Sequence, residues 1–158
     1  MQRIVVLAVL FLASTGVGAS VQVTDYMKSY STKASFEEVR EFLSLAVTGR
    51  GIKINTVAHI GDMLERTGPD IGRTKQVFIK AEAFEFCTSV LSRDMMEASP
   101  HNIVFCPYVI AVYVLPDEPD TVYLSYRRPQ IVGSDASRAA LGKVETLLDD
   151  IIREAIGE

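Results

Sequence analysis

The chain has 158 residues, 48% of them hydrophobic and 23% charged, enough apolar material for one core in one domain and too much for a disordered chain. Its formal charge is −4, and without a Lys/Arg cluster to neutralise phosphates it does not fit a nucleic-acid partner. Arg50, Lys53 and the pair Arg127-Arg128 stand apart from one another and read as solvated surface.

Met1-Gln2-Arg3 puts a positive charge beside the amino terminus, Ile4 to Ala13 is almost wholly apolar, and Val17 and Ala19 are small residues at the −3 and −1 positions of a cleavage site. These are the three parts of a secretory signal peptide. The alternative is a retained anchor, but a spanning helix needs about twenty apolar residues. This run is about half that, and no Cys follows it to carry a lipid. The expectation is a cleaved leader, residues 1–19, and a single domain, residues 20–158, that is periplasmic or secreted and has no stable membrane anchor.

Val21 to Ser31 partly alternates apolar and polar residues and reads as an edge strand. Ser35-Phe36-Glu37-Glu38 is a capping box, and Phe36, Val39, Phe42, Leu43 and Ala46 follow at helical spacing until Gly49 and Gly51. Lys53 to Val57 predicts a short strand, and His59 to Arg66 a short helix stopped by Gly68-Pro69. Gln76 to Cys87 predicts a strand with Val77, Ile79, Ala81 and Ala83 on one face and Phe78, Lys80, Glu82, Phe84 and Phe86 on the other. Thr88 to Ala98 reads as helix, Val104 to Leu115 as the strongest strand, and Thr121 to Tyr126 as its hairpin partner across Pro116–Asp120. Ser134 or Asp135 caps a last helix with Leu141, Val144, Leu148, Ile151 and Ala155 on one side.

The short connections predict an α+β fold: a mainly antiparallel, curved sheet of four to five strands with helices packed on one face. The strand Val104–Leu115 is apolar on both faces, with Tyr108, Ile110, Val112 and Val114 on one and Val109, Ala111, Tyr113 and Leu115 on the other. Helices on one side leave the second face needing a cover: another copy of the sheet, an apolar ligand, or loops and short helices.

Cys87 and Cys106 permit one disulfide in an oxidising compartment, or two buried free thiols, and their spacing excludes CxxC and CxxCH motifs. His59 and Met63 are spaced i, i+4, and His101 precedes Phe105-Cys106. With aromatics lining an apolar pocket, this His/Met set is the candidate for metal or haem. The other reading of each is a surface or capping His and a core Met. Cys106 with His101 is the only local pair for covalent catalysis, and Glu82 with Lys80 reads as a solvated ion pair. No phosphate loop, HExxH or GxSxG is present.

Ser35-Phe36-Glu37-Glu38-Val39, Phe84-Glu85-Phe86-Cys87, Phe105-Cys106-Pro107, Val109-Ile110-Ala111-Val112-Tyr113 and Arg128-Pro129, in that order, resemble domain-of-unknown-function family 302 over about Lys28 to Ile156. The resemblance implies a small α+β domain of the TATA-binding-protein-like class, often dimeric, with no settled activity and with some members accompanying sulfur-oxidation systems. Family members often have Pro before Cys where the central strand begins; here the order is Cys106-Pro107.

The leading functional expectation is a non-enzymatic, homodimeric binding module. It would hold an apolar or planar small molecule, haem among the candidates, at a sheet face lined by Phe84, Phe86, Tyr108 and Tyr113. One alternative is a ligand-free accessory protein serving a periplasmic partner. The other is a thiol or redox protein using Cys87 and Cys106.

Overall fold

The computed structural model describes residues 19–158, so the leader, apart from Ala19, lies outside the described residues. Its sheet has six strands, all antiparallel: β1 (Ser20–Val23), β2 (Met27–Thr32), β3 (Ile54–Ala58), β4 (Lys80–Phe86), β5 (Tyr108–Leu115) and β6 (Glu118–Arg127). Four helices accompany them: α1 (Phe36–Thr48), α2 (Ile60–Thr67), α3 (Ser89–Ala98) and α4 (Asp135–Ile156). The strand order is β1-β2-β6-β5-β4-β3.

The fold class is as the sequence predicts, with more strands than the four to five expected. The extra one comes from Val21–Ser31, which folds as a hairpin. The Met27 N–H donates to Thr24 Oγ1 at 3.0 Å, and the Thr24 N–H donates to the Met27 carbonyl at 2.8 Å. The side chain of Thr24 thus closes a turn that alternation alone does not mark. β4 starts only at Lys80, where its pairing with β5 begins opposite Val114. β5 starts only at Tyr108, because Pro100–Phe105 forms a 3-10 helix.

Ser35 caps α1 as the sequence predicts: its hydroxyl oxygen accepts from the Glu38 N–H, and the Glu38 carboxylate accepts from the Ser35 N–H. Val39, Leu43, Ala46 and Val47 face inward, whereas Phe42 is half exposed. On α4, Leu141, Val144, Leu148, Ile151 and Ala155 are all buried. These helices cover the sheet face formed by Tyr30, Phe84, Phe86, Tyr108, Ile110, Val112, Leu124 and Tyr126. At roughly 1.5–3 kcal/mol for each large side chain removed from water, this is the main attractive term in the fold.

α2 packs beside β4 just beyond the point where β3 stops. Gly61 makes the approach possible: a Cβ there would stand 2.9 Å from the backbone nitrogen of Ala81. Cys87 and Cys106, just outside the β4–β5 ladder, meet as a disulfide with Cα atoms 6.5 Å apart, a separation within the ordinary disulfide range. The Cys106-Pro107 peptide bond is cis. Among the described residues no helix is long and apolar enough to cross a membrane.

Candidate binding face

Alternation along five strands separates the two faces of the sheet cleanly. Opposite the helices, the ladder registers define three rows. The first runs Ala81, Tyr113, Tyr123, Ser31. The second is made of small side chains: Ala58, Ala83, Ala111, Ser125, Ser29. The third runs Thr56, Glu85, Val109 and, by continuation of the register, Arg127 and Met27. Within these rows Ala81, Ser29 and Ser125 are buried, whereas Val109 is 41% exposed.

The hydroxyls on this face satisfy one another. Ser125 Oγ lies 2.7 Å from Ser29 Oγ and 2.9 Å from Tyr113 Oη. Dry packing against the middle row therefore strands no polar group. At one end the aromatics form a ladder: Tyr113 and Tyr123 stack with centroids 5.4 Å apart, and Phe78 meets Tyr113 edge-on at 5.6 Å. Tyr123 Oη donates to Glu118, and that carboxylate, aided by burial, pushes the phenol up to about 12. Phe78 also forms a wall of a groove of about 530 Å3 between α2 and residues 73–78. Gly61, Leu64, Ile71 and Val77 give the groove an apolar lining, and Arg73 and Lys75 join it.

The four aromatics expected to line one ligand face do not do so. Phe84, Phe86 and Tyr108 are buried under the helices at 1%, 0% and 3% exposure. Tyr113 is the one that faces outward. Phe78, assigned from alternation to the face of Phe84, joins Tyr113 instead, because it precedes β4 and is free of that strand's pleat. Tyr123 was missed; its pairing opposite Tyr113 in the hairpin was the available signal.

The proposed metal set is not gathered either. His59 precedes α2, and its Nδ1 lies 3.0 Å from Glu82 Oε1. Met63 sits on α2, where its sulfur accepts from Thr67. His101 is exposed on the 3-10 helix that leads into β5, towards the other end of β4. Among the described residues no group of three or more His, Cys, Asp or Glu side chains is placed to hold a metal ion.

Two carboxylates sit within polar clusters. Glu82 is clamped between His59 and the Arg40 Nε at 2.6 Å. Asp149 accepts from Lys28 Nζ at 2.6 Å and from the hydroxyls of Tyr30 and Tyr126, each at 2.7 Å. Burial works against the Asp149 charge, but those three donors outweigh it and hold the carboxyl below its usual range. Burial first, and then Asp149, push Tyr126 far above the ordinary phenol range and Tyr30 upward. These groups are bound to each other rather than poised for proton transfer.

The family model described as "Domain of unknown function DUF302" matches residues 28–156. The chain belongs to this family. A crystal structure of an uncharacterised conserved DUF302 protein from Bacillus stearothermophilus is similar, with a TM-score of 0.69 at 15% identity, over 84% of this chain and 99% of that one. At that identity the likeness speaks for the DUF302 fold alone. No curated protein matches.

Proposed function

We propose that this DUF302 chain is an extracytoplasmic, non-enzymatic, homodimeric binding module that holds an apolar or planar small molecule beside its open sheet face. The observation that carries the reading is the outward aromatic ladder of Phe78, Tyr113 and Tyr123, continuous through Phe78 with the groove beneath α2. The ladder offers aromatic faces, and the groove joins Phe78, Leu64, Ile71 and Val77 to polar groups of Glu65, Arg73, Lys75 and Gln76, which suits a largely apolar or planar molecule bearing a few polar substituents. Since His59, Met63 and His101 are scattered, the ligand is a packed organic molecule rather than a haem held by those side chains. The compartment rests on the leader pattern and is supported by the Cys87–Cys106 pairing, which suits an oxidising environment.

Native mass spectrometry of protein exported to a periplasm tests this directly. Added mass on the wild type that disappears in Phe78→Asp and Tyr113→Asp supports the reading. A wild type that arrives at the bare chain mass overturns it.

The accessory-protein reading draws on a different region. Tyr26, Ile103 and Val104 are 68%, 59% and 68% exposed, and Tyr26 and Val104 line a shallow cleft with Arg127 and Arg128. A periplasmic protein partner would dock there, and Val104→Asp would abolish its co-purification while leaving any bound ligand in place.

A further inference from the structure

The groove between α2 and residues 73–78 differs in charge from the rest of the chain. Arg73 and Lys75 line it against one carboxylate, Glu65, on a protein whose formal charge is −4. Neither Arg73 nor Lys75 has an ion-pair partner among the described residues, whereas Lys80, where β4 begins, is paired with Glu37.

The loop that carries Arg73 is fixed through its backbone. The Gly68 carbonyl accepts from the Ile71 N–H at 3.2 Å and from the Arg73 N–H at 2.8 Å. Gly68 is buried, and a Cβ on it would collide with the Arg73 carbonyl oxygen, so the turn closes because that residue has none. Beside the two cations the groove wall is aliphatic and uncovered: Ile71 is 70% and Val77 50% exposed, with Leu64 and Phe78 alongside. Apolar surface left in water next to unpaired cations is the complement of a molecule apolar along its body and anionic at its head.

We propose that the groove binds a soluble monocarboxylate with an apolar body. Arg73 and Lys75 hold the carboxylate, and Leu64, Ile71, Val77 and Phe78 pack on the body. The planar guanidinium of Arg73 presents parallel N–H donors that match the two carboxylate oxygens, and Lys75 adds a point charge. One carboxylate brings the three charged side chains of the groove to neutrality, and a second would leave an excess of negative charge. The proposal names the ligand class of the binding module described above and rests on that reading.

It is tested by isothermal titration calorimetry on the full exported chain, stripped of co-purified ligand. The probes are decanoate, decanol and decyltrimethylammonium, which share a chain and differ in head charge, each below its self-association threshold. Decanoate is expected to bind about tenfold more tightly than decanol, the worth of a charge-assisted hydrogen bond at a partly solvated site, and decyltrimethylammonium is expected to bind most weakly. The double variant Arg73→Glu/Lys75→Glu reverses the order of decanoate and decyltrimethylammonium, which a loss of packing alone would not do. Phe78→Ala weakens decanoate and decanol alike. Circular dichroism confirms that each variant is folded.

Decanoate that binds no better than decanol, or a double variant that still prefers decanoate, overturns the proposal. So does a chain that ignores decanoate but sediments with phosphatidylglycerol vesicles, which would make the groove a membrane contact. Native mass spectrometry separates this failure from that of the wider reading. Added native mass without decanoate binding removes this ligand class and keeps the binding module, and a chain that arrives bare and binds no probe removes both.

Discussion

Removing the Asp149 carboxylate should be among the most damaging single changes outside the apolar core. Asp149→Ala deletes three hydrogen bonds, from Lys28, Tyr30 and Tyr126. Tyr30 and Tyr126 are 0% and 2% exposed, so their hydroxyls lose their partner in a nearly dry site. An unsatisfied buried hydroxyl costs about 1–3 kcal/mol. The Lys28 pair, with side chains 16% and 20% exposed, adds about 1 kcal/mol once partial screening is allowed for. Some water will reach the space left behind, so a loss of about 3–5 kcal/mol is expected. For a domain of this size that lowers Tm by about 10–15 °C. Thermal unfolding followed by circular dichroism measures it. The pH dependence gives a second readout. Asp149 is held below its unfolded value, so its stabilisation is present above about pH 4 and fades as pH falls through its folded value. The gap between wild type and Asp149→Asn should therefore be widest near pH 7 and shrink as the pH is taken down through the acid range. A Tm drop of less than about 3 °C for Asp149→Ala would show that the cluster contributes little.

Breaking the disulfide with Cys87→Ala and Cys106→Ala should cost about 3 kcal/mol in the chain-entropy model, visible as a lower urea midpoint that reductant reproduces in the wild type. Burial raises Tyr30, Tyr108 and Tyr126, and the Glu118 contact raises Tyr123. Absorbance at 295 nm should accordingly show these phenols ionising late. Because those values are raised on folding, the stability they contribute is full below about pH 10 and falls above it, less so in Tyr126→Phe. Gly61→Ala sets a Cβ against the Ala81 backbone and pushes α2 away; the melting temperature and groove occupancy should both fall, and unchanged ligand mass on the folded variant would count against the groove.

The elements most readable in the sequence were those whose local chemistry and tertiary setting agree. Ser35 and Glu38 cap α1 from side chains alone, and the apolar stripe of α4 maps onto its buried residues. The face assignment of β5 also transferred, because residues 108, 110, 112 and 114 alternate without interruption. Elsewhere nonlocal pairing decided the outcome. Alternation carries through both arms of β1 and β2, so only the Thr24 turn separates them. Phe78 looks like part of β4 until β5 fixes where the ladder begins. The aromatic candidates were drawn from the right strands but divided between the two faces. Phe84, Phe86 and Tyr108 serve the core, and the outward ladder depends on a cross-strand register that composition does not encode.

The sheet order also bears on when this chain can fold. β2 lies between β1 and β6, so the first hairpin to be synthesised seats itself beside one of the last strands. The pair Ser29 and Ser125, and the bond from Arg128 to the Thr24 carbonyl, span 96 and 104 positions. Contacts of such long sequence separation form slowly. The amino-terminal hairpin must wait for β6 and α4, so core closure is postponed until nearly the whole polypeptide has emerged. A chain that stays open this long can be threaded through a narrow channel before it acquires a shape too wide to pass.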